Sequence, residues 1–402
     1  MEKPNFLLAT LVIIVQTVSG QVSQPQMLHI DPSTAIPLRA SEAFQEINYI
    51  PLQTTKESIF GEIAALTVEE EHFILSDENT NAILIFLKNG EFKGRITRDK
   101  NDRKNFFVNK KNKEIIFRKN GKLLFFNFSG ELIAEEPDRE FRMHADLHYF
   151  DRDRIASSLY AVSKKFLPDT IDFEVKLFQK QRLLAGYLPY NMKTAPIQSE
   201  DILNLAHSPF YQTGIDTILY YTRPYDYCIY QVTSSDFSKK YEMVFPAAYT
   251  LSSSFKSDTL LQGKRFAFLS AHQNLISTIG YPYQVKNILF FKILSWNNRS
   301  NSYIYNLKSA TLISVKDIQP DNFNYFLPVT DLHDGVGFAN HNFLTSDGQY
   351  VYTAVSSDIL LKYKRNNAKR DVFYPALLKA YLRKASRKDN PVIIQIKPKD
   401  NI

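Results

Sequence analysis

The chain has 402 residues, 30 of them Phe and 23 Tyr, a single cysteine and a formal net charge of +7. One cysteine, Cys228, excludes an intramolecular disulfide and with it a small disulfide-stapled scaffold. The charge excludes a nucleic-acid footprint spread over a fold face, because ten basic residues against one acidic fall between Lys362 and Lys388, a local +9 that leaves about −2 for the remainder.

At the N-terminus, Lys3 precedes an apolar run from Phe6 to Val18 and the small residues Ser19 and Gly20, the pattern of a secretory signal cut before Gln21. A run of thirteen residues is too short for a hydrocarbon core that needs roughly 20. Residues 1–20 are therefore read as a signal peptide, 21–44 as an N-terminal extension and 45–400 as one domain. The mature chain is expected to be secreted or periplasmic and soluble, and with no cysteine near the cut it is not expected to carry a lipid anchor.

The segment "EINYIPLQTT" (46–55) has strand character without a nearby partner. From residue 72 a unit begins that recurs: "HFILSDENTNAILIFLKNGEFKGRI" (72–96) aligns with "EIIFRKNGKLLFFNFSGELIAEE" (114–136), Gly90 falling against Gly130. Each unit reads as strand, turn, strand, Gly-bearing hairpin turn and strand, and a period near 40 is that of four-stranded propeller blades. Looser units follow at 147–188, 203–245 and 275–316, and a last one joins 340–355 to "PVIIQIK" at 391–397. The fold class expected is all-β, a six-bladed β-propeller of four-stranded antiparallel blades with one C-terminal helix inserted in the last blade; a seven-bladed count stays open. Because an open ring leaves a bare edge, residues 46–55 are expected to pair beside "PVIIQIK".

The inserted helix is read in "FYPALLKAYLRKASRK", where Phe373, Leu377, Leu378, Tyr381 and Leu382 share a face expected to pack on the propeller. Lys379, Arg383, Lys384 and Arg387 form the opposite, solvated basic face, with membrane contact as the lesser alternative.

These residues resemble a family. "IPLQTTKESIFGEIAALTVEEEHFILSDENTNAILIFLKNGEFKGRI" (50–96) is similar to the opening of the exported six-bladed β-propeller proteins abundant in Bacteroidetes, and "DNPVIIQIKPK" (389–399) to their closing strand. The resemblance implies an NHL-like ring at the cell envelope or outside the cell, and it supplies no catalytic residue.

Three constellations could carry chemistry. His144, Asp146 and His148 in "HADLHYFDRD" would share one face of an extended strand and could converge on a metal, against the reading of a solvated loop leading into the third blade. His333, Asp334, His341 and Asn342 flank Gly335 and Gly337 just before the innermost strand expected of the last blade, where propeller ligands meet the axis. In the Tyr-rich run from Tyr211 to Tyr230, Arg223 and Tyr225 could present to a sugar or protein partner, while about half of the tyrosines should be core. There is no G-x-S-x-G elbow, no H-E-x-x-H and no phosphate-cradling glycine loop. The expected function is non-catalytic binding of an envelope protein or a glycan by a monomer, with no cofactor and no nucleic acid. The alternative is a hydrolase or lyase with an axial metal held by His333 or His341.

Overall fold

The computed structural model describes residues 24–77, 79–99, 106–137, 146–159, 169–202, 209–296, 301–330 and 343–402. They build six antiparallel sheets of four strands each, arranged as the blades of a propeller, with one additional strand on the fourth. Blade 1 comprises Ala65–Val68, His72–Asp77, Ala82–Leu87 and Phe92–Thr97; blade 2, Phe106–Asn109, Glu114–Lys119, Lys122–Asn127 and Leu132–Pro137. Blade 3 comprises Asp146–Tyr149, Arg154–Ser158, Ile171–Gln179 and Arg182–Asn191; blade 4, Phe210–Gln212, Leu219–Tyr221, Cys228–Val232 and Phe237–Val244. Blade 5 comprises Ile276–Val285, Ile288–Ser295, Asn301–Asn306 and Leu312–Ser314, and blade 6 combines Thr345–Ser346, Val351–Val355 and Val392–Pro398 with Phe44–Pro51. Six is therefore the blade number.

The middle strands explain the long apolar runs. "AILIF" at 82–86 and all of Ile288–Ser295 are buried, since each blade is covered on both faces by its neighbours and alternation is lost. Repetition at the sequence level reappears as repeated geometry. Leu87 N–H donates to the Glu91 carbonyl and Gly90 N–H to that of Leu87; Asn127 and Gly130 make the same two bonds to Glu131 and Asn127. Gly90 and Gly130 both have positive φ, 89° and 83°. A Cβ at Gly90 would lie 2.0 Å from the Pro51 carbonyl oxygen, so this turn also sets how closely blade 1 seats on the closing strand of blade 6.

Closure is as expected: Phe44–Pro51 lies antiparallel to Val392–Pro398, with Ile47 opposite Ile396 and Ile50 opposite Ile393. Ahead of it, the N-terminal segment adds Gln26–His29 in parallel to the outer strand of blade 4. It then bridges to blade 5 at Ile36–Ile313 before entering blade 6. A single segment thus ties three consecutive blades.

The blade 6 insertion departs from expectation in two respects. It holds two helices, Ser357–Asn366 and Ala376–Lys384, rather than one. The first lies in the stretch after Val355 that reads only as a basic insertion, where Ile359, Leu360 and Leu361 are its sole apolar cluster among Lys362, Lys364 and Arg365. In the second, Leu378 and Leu382 are buried, but Phe373 is 83% and Leu377 55% exposed, so the predicted five-residue apolar face does not all pack on the ring. Phe373 precedes the helix, and the buried stripe is the narrower one at i, i+4.

Candidate functional site at the axis and its mouth

An up-and-down blade sends its turns to two ends of the ring. Turns joining strands one to two and three to four lie at one end, here the turn end; those joining two to three, and the blade crossings, lie at the other, the crossing end. Innermost strands of all six blades line an axial cavity of about 140 Å³ that includes Phe106, Phe107, His148, Phe210, Tyr211, Tyr281 and Tyr283. Tyr211 meets Tyr281 and Tyr283 edge-on at 5.5 and 6.1 Å, and the Tyr283 hydroxyl donates to the Leu344 carbonyl at 2.7 Å. Aromatic rings therefore line much of this cavity.

At the turn end the bore meets a recess of about 550 Å³. Its walls are the first turns of blades 2, 3 and 4, with Lys110 and Lys111, Phe150 to Arg154, and Gly214 to Leu219. His148, Gln212 and Leu219 line both spaces, so they stand at the junction between them. His148 lies edge-on to Phe150 at 5.1 Å and near Phe107 at 6.4 Å. Among the described residues neither the His148 imidazole nor the Gln212 amide has a hydrogen-bond partner. A ligand entering the recess would meet both.

His148 thus lies on the innermost strand of blade 3, not in a solvated loop, and it shares a face of that strand with Asp146. His144 lies outside the described residues, as do His333, Asp334, His341 and Asn342, and no group of three metal-ligating side chains occurs among the described ones. Burial pushes the His148 imidazole down to about 4. An unfolded chain takes up that proton near pH 6.5, so between 6.5 and 4 the unfolded state binds it first and stability falls as pH falls. Wild type should lose up to roughly 3 kcal/mol more than His148→Gln between pH 7.5 and 4 in urea unfolding; parallel pH profiles would contradict this.

The rest of the turn end is crossed by a chain of alternating charge. Lys110 of blade 2 lies 3.1 Å from Asp216 of blade 4 and 3.6 Å from Glu69 of blade 1, and Lys88 of blade 1 lies 4.0 Å from Asp347 of blade 6. Burial, opposed by Lys110, raises the Glu69 carboxyl to about 7. Beside this chain the turns of blades 4 and 6 touch, since a Cβ on Gly214 would lie 2.1 Å from the Gly348 nitrogen.

The crossing end holds the other sequence candidates. Arg223 donates to Glu174 and to Asp226, each at 2.6 Å, and Tyr221 donates to Glu174 at 2.6 Å. Burial works against the charge on Asp226, but Arg223 and Lys256 outweigh it and hold the carboxyl below its usual range. Burial raises the Glu174 carboxyl against the pull of Arg223. Tyr225 packs edge-on against Phe255 at 5.1 Å. Arg223 and Tyr225 are therefore engaged in joining blades 3 and 4 to the crossing that follows blade 4. None of the six tyrosines in the run is exposed. Cys228 is buried on a blade 4 strand, and burial pushes its thiol up to about 12.

Sequence reasoning missed one buried ion pair, Asp201 with Arg265, both fully buried and 3.1 Å apart. Its partners are 64 residues apart in two different blade crossings, and no local pattern marks either.

The fold has a known counterpart. A protein of Bacteroides fragilis described as exported matches with a TM-score of 0.65 at 15% identity, covering 93% of this chain and 100% of that one. A DUF4221 family member from Bacteroides vulgatus gives 0.42 at 12% identity, covering 89% and 97%, and a Bacteroides caccae protein of unknown function 0.35 at 10%, covering 66% and 83%. No curated protein matches the chain. No helix among the described residues is long and apolar enough to cross a membrane. Residues 28–397 match a family model described as a domain of unknown function, DUF4934, and the chain belongs to that family.

Proposed function

We propose that this protein is an exported, non-catalytic propeller that binds a glycan chain or a protein segment through the recess at the turn end. The observation that carries the reading is the junction itself, where two polar side chains without partners, His148 and Gln212, open onto a recess of about 550 Å³. That volume lies in the range of ligand clefts. Its wall alternates apolar surface (Phe150, Ile215, Ile218) with polar groups (Lys111, Asp151, Arg154), which suits a partner carrying both hydroxyls and flat or aliphatic faces.

Ile215 is 56% exposed, so Ile215→Asp alters the wall at little cost to the fold. On a glycan array and in pull-downs from envelope extract, the mature protein should retain a defined partner, and Ile215→Asp should weaken retention at least about tenfold. No partner in either assay, or equal retention by the variant, would overturn the proposal.

A further inference from the structure

We infer that the insertion of blade 6 is a docking face for an anionic lipid surface. The helix Ala376–Lys384 is held by one side only. Leu378 and Leu382 are buried, and the Tyr381 hydroxyl lies 2.6 Å from that of Ser357 on the first insertion helix. This attachment fixes which side faces out. On that side Leu377, Ala380 and Lys384 form one stripe at i, i+3 and i+7, and Ala376, Lys379 and Arg383 form the next, all exposed. Phe373, just ahead of the helix, is the most exposed large apolar residue described, at 83%.

Charge adds to this. Within the +9 segment some basic groups are spent internally: Arg387 pairs with Asp358 at 3.1 Å, and Arg370 stacks on Phe326 at 4.2 Å. Among the described residues Lys379, Arg383 and Lys384 pair with no acid, and Asp371 is the one acidic residue between Lys362 and Lys388.

A soluble polyanion would use the charges and leave Phe373 and Leu377 in water. A bilayer interface uses both, taking the apolar side chains into the headgroup boundary while the lysines and arginines meet lipid phosphates. The surface is thus matched to a membrane rather than to a polymer in solution. Because this insertion joins the second and third strands of blade 6, it sits at the crossing end, and docking there would leave the recess facing away from the bilayer.

The test is vesicle co-sedimentation of the mature protein with phosphatidylglycerol mixed into phosphatidylcholine, and with phosphatidylcholine alone. Binding is expected only to the anionic vesicles, and it should be lost at about 0.5 M NaCl. It should fall at least about tenfold both in R383E/K384E and in F373S/L377S. All four positions are exposed, and unchanged thermal melting of both variants checks that the fold is kept. Absence of binding, equal binding to neutral vesicles, or either double variant behaving as wild type would overturn the inference. Loss in R383E/K384E alone, with inorganic polyphosphate competing fully, would mark a plain polyanion site and overturn it too.

Discussion

Replacing Arg265 by Ala should lower stability by about 3–5 kcal/mol, the largest loss expected from a single polar side chain in this protein. Arg265 and Asp201 are both fully buried, and the pair does more than neutralise itself. The guanidinium donates to the carbonyls of Phe255, Lys256 and Asp258 at 2.9–3.0 Å. Asp201 accepts from the backbone N–H groups of Ile197, Gly263 and Arg265 at 2.8–3.1 Å. Two irregular crossings, one before blade 4 and one after it, thereby have backbone groups satisfied from a single centre. A hydrophobic replacement of a buried ion pair is often tolerated, but here six backbone groups would lose partners. The double variant Asp201→Leu/Arg265→Met should therefore remain destabilised, by at least about 2 kcal/mol. Denaturant unfolding of the three proteins decides the matter; recovery to wild-type stability in the double variant would show that the pair serves only itself.

The second large effect concerns the contact between the turns of blades 4 and 6. Gly214 has φ of 80°, and a Cβ there would lie 2.1–2.5 Å from the backbone of Asp347 and Gly348. Gly348 has φ of 85°, but a Cβ there would find its nearest atom at 3.5 Å. Both substitutions to Ala incur the cost of a left-handed backbone, about 1–2 kcal/mol. Gly214→Ala must in addition push two backbones apart. Its total should be about 2–4 kcal/mol, clearly above that of Gly348→Ala, and since Gly214 lines the recess, ligand retention should fall with it. Equal losses for the two variants would mean that the turns are not in contact.

The order in which features could be read from the chain follows from where their physics lies. Hairpin turns are local, so Asn89-Gly90 and Gly130 marked the repeat and the blade plan with it. Closure was legible because a strand without a neighbour, residues 46–55, had one place in a ring where its edge could be paired. The innermost strands were harder. Thr345–Ser346 is two residues long and Phe210–Gln212 three, too short for any alternation to show. For the same reason His148 looked like part of a polar loop, although it stands on the axis. Arg223 drew attention as a basic residue among tyrosines, and only the fold brings Glu174, 49 residues away, beside it. The exposure of Phe373 and Leu377 was likewise invisible, because helical periodicity gives the apolar stripe and not the width of the surface that covers it.

If a partner is taken at the turn end, hydrogen–deuterium exchange of the protein with and without a captured partner will map the contact there. Exchange should slow in residues 108–111, 149–154 and 212–218, with the crossing-end segments 51–64 and 244–265 unchanged. Protection confined to those crossing-end segments, with the recess turns exchanging as in the free protein, would contradict it.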